Sequence, residues 1–88
     1  MSGGELLRKT VPVYPPLAQR ARIGGVVHLE ATVGTNGRVR QVKAVSGPPA
    51  LRQAAMDAVR LWVYSPTLRN GEPVENVVQI DMRFSLTQ

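Results

Sequence analysis

The clearest pattern in the chain lies near its far end. From residue 77 to 86, Val78, Ile80, Met82, Phe84 and Leu86 share one phase, and Val77, Gln79, Asp81, Arg83 and Ser85 share the other. Successive side chains of a strand point to opposite faces, so this alternation predicts a strand with one face on a core and a polar face of mixed charge outward. The same period runs from Val26 to Val33, with Val27, Leu29, Ala31 and Val33 opposite His28, Glu30 and Thr32. Gly34-Thr35-Asn36-Gly37 follows, and Asn-Gly is a strong hairpin signal because both residues tolerate positive φ. The returning strand spans Arg38 to Val45. Its apolar phase slips between Val39 and Val42, which predicts a β-bulge near Arg40-Gln41.

After the hairpin the period changes. Leu51, Ala54, Ala55, Ala58, Val59 and Trp62 recur at helical spacing, while Arg52, Gln53, Asp57 and Arg60 lie mostly off that stripe. Ser46-Gly47-Pro48-Pro49 opens this helix, with Ser46 or Gly47 as the expected cap and a proline in the first turn. Pro66 prevents its continuation, and Asn70-Gly71 marks a second turn. Upstream, Val11-Pro12-Val13-Tyr14-Pro15-Pro16 places three prolines within five positions, which forces an extended course. Pro16 can then open a short helix over Leu17 to Arg22, stopped by Gly24-Gly25. Residues 1–10 lack periodicity and are expected as a flexible tail ahead of a domain covering 11–88. Met1-Ser2-Gly3-Gly4 has the look of an appended remnant, so an anchor or export signal is expected outside this sequence.

The order helix, strand, strand, helix, strand constrains the topology. If the hairpin runs up and then down, the long helix returns up and the third strand runs down. Paired beside the first strand, it gives an α+β fold with a three-stranded antiparallel sheet ordered two–one–three and two helices packed on its apolar face. Phe84, Met82, Ile80, Val78, Leu29, Val27, Trp62 and Ala58 form the expected core, with Trp62 under Phe84 or Met82. The third strand is then an edge, which offers a row of unpaired main-chain groups to an extended peptide.

Eighty-eight residues of which 43% are apolar and 19% charged make one small domain with a thin core. The absence of cysteine excludes a disulfide framework and a thiolate metal site. No apolar run approaches the roughly 18 residues that cross a bilayer. The net charge of +5 suits an acidic partner, nucleic acid or a membrane surface. However, the basic residues are scattered, and only Arg38, Arg40 and Lys43 cluster, so a solvated surface accounts for them.

Candidate chemistry is sparse. His28 is the single histidine, so no histidine-based triad or two-histidine metal site can form. The six carboxylates show no acid/base pairing, and no glycine pattern fits a phosphate cradle. These residues predict neither an enzyme nor a metal or cofactor site. Trp62 ends the apolar stripe and reads as core. A nucleic-acid module would need aromatics on an open sheet face, and Phe84, the aromatic of the strands, falls in the core phase.

The landmarks nevertheless resemble one family. Tyr14-Pro15-x-x-Ala18, Gly25-x-Val27, Asn36-Gly37-x-Val39, Ala54-Ala55, Trp62-x-Tyr64-x-Pro66, Asn70-Gly71-x-Pro73-Val74 and Phe84 resemble the TonB carboxy-terminal domain over Val11 to Leu86. That resemblance implies a periplasmic, non-enzymatic domain of an inner-membrane energy transducer, driven through an ExbB–ExbD type motor by the proton-motive force. It implies binding of the TonB box of outer-membrane transporters by strand addition, in support of siderophore or other nutrient uptake. The implied partner-binding residues are Val11, Pro12, Val13 and Tyr14 in the extended segment. In the last strand they are Val77, Val78, Gln79, Ile80, Asp81, Met82, Arg83, Phe84 and Ser85. Val11 and Val13 stand where relatives often carry glutamine, so this segment is expected to act through its backbone. Free strand edges also allow a homodimer. The alternatives are a scaffolding copy of the module that binds no transporter, and the nucleic-acid module.

Overall fold

The computed structural model describes residues 3–86. In chain order its elements are β1 (Leu6–Arg8), α1 (Pro16–Arg20), β2 (Gly25–Val33), β3 (Val39–Ser46), α2 (Pro49–Val59), β4 (Val63–Tyr64), β5 (Thr67–Arg69), β6 (Glu72–Val74) and β7 (Asn76–Phe84). The main sheet is antiparallel in the order β3-β2-β7, which is the expected two–one–three order. Two short ribbons, β1-β4 and β5-β6, form separate sheets, and β4 meets the turn ahead of β3 through a bridge from Val63 to Arg38.

The alternation in the sequence explains the sheet. Val27, Leu29, Ala31 and Val33 of β2 and Ile80, Met82 and Phe84 of β7 are buried on one face. Leu51, Ala55, Ala58 and Val59 of α2 and Ala18 of α1 complete the same core cluster. Fully burying a side chain such as Leu29 or Leu51 contributes about 1.5–3 kcal/mol, so a few such residues hold a domain this small together.

Both hairpin signals are real turns. Gly37 adopts φ 82°, and a β-carbon there would lie 1.9 Å from the carbonyl oxygen of Tyr64, so only glycine fits. Asn70 and Gly71, at φ 52° and 81°, join β5 to β6 in a two-residue turn. The predicted bulge is also present. Thr32 pairs with Gln41 and Val33 with Val39, which leaves Arg40 as the extra residue.

Several expectations need correction. The tail over residues 1–10 contains β1, whose Leu6 pairs with Tyr64; three residues are too few to display a period. Helix α1 ends at Arg20, and its stop is Arg22, at φ 57°, which lets the Ile23 N–H donate to the Ala18 carbonyl at 2.8 Å. Neither Ser46 nor Gly47 caps α2: Pro48 occupies the cap position with no side-chain hydrogen bond, and Pro49 opens the helix. Trp62 lies beyond the helix end yet is buried, because the chain turns it back into the core. Phe84 stacks edge-on against Tyr14, with ring centroids 5.5 Å apart. Val78 is only partly buried, as suits an edge strand covered on one side. Finally, β7 stops at Phe84, so Ser85 and Leu86 lie outside it.

Candidate functional site

The open edge of β7 can be read from three main-chain contacts. The Gly34 N–H donates to the Arg38 carbonyl at 2.8 Å, and a β-carbon on Gly47 would lie 2.8 Å from the Val26 carbonyl oxygen. Even-numbered residues along β2 therefore turn toward β3. Alternate residues of an antiparallel strand face opposite neighbours, so Gly25, Val27, Leu29, Ala31 and Val33 face β7. Their partners in register are Phe84, Met82, Ile80, Val78 and Asn76. A β-carbon on Gly24 would lie 3.0 Å from the Phe84 carbonyl oxygen, which agrees. The main-chain groups of Val77, Gln79, Asp81 and Arg83 are thus left at the edge.

Beside this edge runs the extended segment from Thr10 to Pro15, here called the strap. It is held at two points. The indole N–H of buried Trp62 donates to the Thr10 carbonyl at 2.9 Å. The Tyr14 hydroxyl donates to the Ile23 carbonyl at 2.5 Å, while its ring packs on Phe84. Between these anchors Val11 and Val13 are each 78% exposed, far too much for core residues. One side of the strap forms a groove of about 440 Å³ with Ala54, Ala58 and Leu61 of the α2 side. A recess of about 360 Å³ separates Val11, Pro12 and Trp62 from Asp81, Met82 and Arg83.

The polar face at the edge is organised by cross-strand pairs. His28 Nδ1 lies 2.6 Å from Asp81 Oδ1, and Gln79 Nε2 donates to Glu30 Oε2 at 3.2 Å. Both pairs are exposed, so they add little stability. They join the outer faces of β2 and β7.

The expected site residues therefore divide by phase. Gln79, Asp81 and Arg83 are exposed and Val77 is 55% exposed. Ile80, Met82 and Phe84 are spent on the core and on pairing with β2, and Ser85 lies past the end of the strand. The tie from Trp62 to Thr10 was not legible, since no periodicity links residues so far apart in the chain. Lys9, whose Nζ sits 5.8 Å from the Trp62 ring centroid, joins the same corner.

Comparison with known proteins agrees with this architecture. The family model described as Gram-negative bacterial TonB protein C-terminal matches residues 10–86. Protein TonB of Vibrio cholerae is 35% identical over 77 residues, 85% of this chain and 32% of its own length. Protein TonB of Xanthomonas campestris is 38% identical over 77 residues, again 85% of this chain and 34% of that protein. The chain thus spans about a third of the length of these curated relatives. The solution structure of the Pseudomonas aeruginosa TonB CTD superposes with a TM-score of 0.77 at 25% identity, covering 97% of this chain and 88% of that one.

Proposed function

Because this chain belongs to the Gram-negative bacterial TonB protein C-terminal family, we propose that it is the partner-binding domain of an energy transducer. In this reading it lies in the periplasm and is tethered to the inner membrane by a preceding region. That region engages an ExbB–ExbD type motor, and the domain passes the work of the proton-motive force to nutrient transporters of the outer membrane. The TonB box of such a transporter adds as a strand to β7. The observation that carries this reading is the bulge-free nine-residue register of β7, with one row of main-chain groups unclaimed by β2.

The energetics suit a connection that is made and broken repeatedly. Each main-chain hydrogen bond contributes about 0.5–1.5 kcal/mol net, and ordering the peptide offsets part of the sum. Pulling force is carried by a ladder of bonds acting together, so no single side chain sets the strength. Phe84 is buried and Tyr14 packs against it, so neither offers a ring to stack nucleic-acid bases.

The test is an NMR titration with a TonB-box peptide. Amide shifts should centre on residues 76–84 and extend to the strap. Shifts centred on β3 or α2 with β7 unmoved would overturn strand addition at this edge. Binding of no such peptide would favour a scaffolding role, and concentration-dependent shifts without peptide would show a second copy on the edge.

A further inference from the structure

The strap faces the β7 edge across a recess that Trp62 also lines, and Trp62 is tied to it by a single polar contact. The indole ring belongs to the core, at 6% exposed, while its N–H leaves the core to reach the Thr10 carbonyl. Core packing needs the ring but not that hydrogen bond. A buried indole N–H does need an acceptor, and here the acceptor is main chain of the strap.

We propose that Trp62 is a positioning residue for strand addition: its N–H fixes the strap at the distance from β7 that an incoming strand requires. The proposal rests on the reading of β7 as the docking edge. The other anchor, Tyr14, fixes only the far end of the strap. With the Trp62 tie, both ends of the Thr10–Tyr14 run are held, and Pro12 within it limits the backbone further. A peptide entering beside Asp81 and Arg83 then meets a wall already in place, so less ordering opposes binding. Without the tie, the nearest fixed points are Arg8, paired with Val63, and Tyr14, so the exposed Val11 and Val13 gain freedom to move into the space the peptide needs.

The test compares three variants with the parent, using the same TonB-box peptide. Trp62→Phe keeps an aromatic ring and removes the donor, so it should fold, by circular dichroism, and bind the peptide about three- to tenfold more weakly. Pro12→Gly loosens the strap without touching the core and should weaken binding in the same direction. Gln79→Pro blocks the edge itself and should abolish binding. In the parent, peptide should shift the Trp62 indole N–H resonance. The losses from Trp62→Phe and Pro12→Gly should be less than additive because both act through the strap, whereas a purely structural tryptophan would give additive losses. If Gln79→Pro abolishes binding while Trp62→Phe binds within twofold of the parent, or the indole resonance does not move, the positioning role is overturned and strand addition stands. If Gln79→Pro binds like the parent, strand addition at β7 fails, and this role fails with it.

Discussion

The two edges of the sheet are built from the same chain to opposite effect. β3 is broken twice: Arg40 is the extra residue opposite Thr32 and Val33, and Val45 the extra residue opposite His28 and Leu29. It also carries Arg40 and Lys43, and at its start Arg38 bridges to Val63 of β4. Bulges, basic side chains and a neighbouring segment at the strand's start are means by which an edge is made unfit for pairing. Among the described residues β7 has neither a bulge nor a covering strand, and it carries a single basic residue, Arg83. Nine residues run in one register from Asn76 to Phe84, without proline, glycine or bulge. An edge of that kind risks aggregation, and the proposed strand addition would give the intact edge a use. The difference shows that sheet edges in this fold are treated individually.

The comparison is tested most severely by moving a proline one position along β7. Ile80 faces β2 and is 7% exposed, so Ile80→Pro removes a ladder bond and core volume together. The expected loss exceeds about 4 kcal/mol, enough to unfold most of a domain of this size. Gln79→Pro places the missing N–H at the open edge and should cost only about 1 kcal/mol. Urea denaturation of the two proteins decides it. Equal losses would mean that the inward and outward residues of β7 have been exchanged.

A second test makes β3 resemble β7. Deleting Arg40 restores a regular register between Val39 and Gln41, and removes an exposed ion pair to Glu75. Stability should change by no more than about 1 kcal/mol, while sedimentation velocity should reveal new self-association through the straightened edge. A protein that stays monomeric at the concentrations where the parent does would show that the Arg40 bulge does not protect β3.

These tests use features of unequal visibility in the sequence. The alternation of β7 and the slip between Val39 and Val42 were legible because apolar and polar residues contrast sharply there. The second bulge was not, because Ala44 and Val45 are both apolar and give no phase; in the fold Ala44 packs on the core and Val45 is 54% exposed. The ribbon of β1 and β4 was hidden by its shortness and by the separation of Leu6 from Tyr64. Of the candidate site, the edge position of β7 and the extended course of the strap were legible. Which β7 residues face outward was not, since that follows from the direction of main-chain groups in β2. The hydrogen bond from Trp62 to Thr10 was hidden for the same kind of reason: its acceptor is a carbonyl, which every residue has.

Side chains on the outer face of β7 should matter much less than the main chain. Gln79→Ala removes a hydrogen bond to Glu30, and Arg83→Ala an exposed cation. Each should weaken peptide binding by less than about 0.5 kcal/mol in calorimetry. A tenfold loss from either would move the recognition from the ladder to that side chain.

The smallest effect concerns the covered side of the sheet and appears only at high pH. Tyr64 of β4 is 8% exposed, and its main chain closes the β3 hairpin through a 2.8 Å bond from its N–H to the Gly37 carbonyl. Burial strips water from the phenol and raises its pKa above the ordinary value of 10.0. The folded state therefore holds the phenolic proton more tightly than the unfolded chain does. Below the unfolded value both states are protonated and the contribution is fully present. As pH rises past about 10, the unfolded chain ionises first, and stability is lost progressively through the folded value. Tyr64→Phe has no such proton to lose. The parent's urea midpoint should therefore fall relative to the variant's above about pH 10, since every other titrating group is common to both. Amide exchange should quicken around β4 and the Gly37 turn before it does along β7. A constant difference between the two midpoints across that range would show that burial does not shift the phenol, and loosening that begins at β7 would show that Tyr64 does not secure the β3 side.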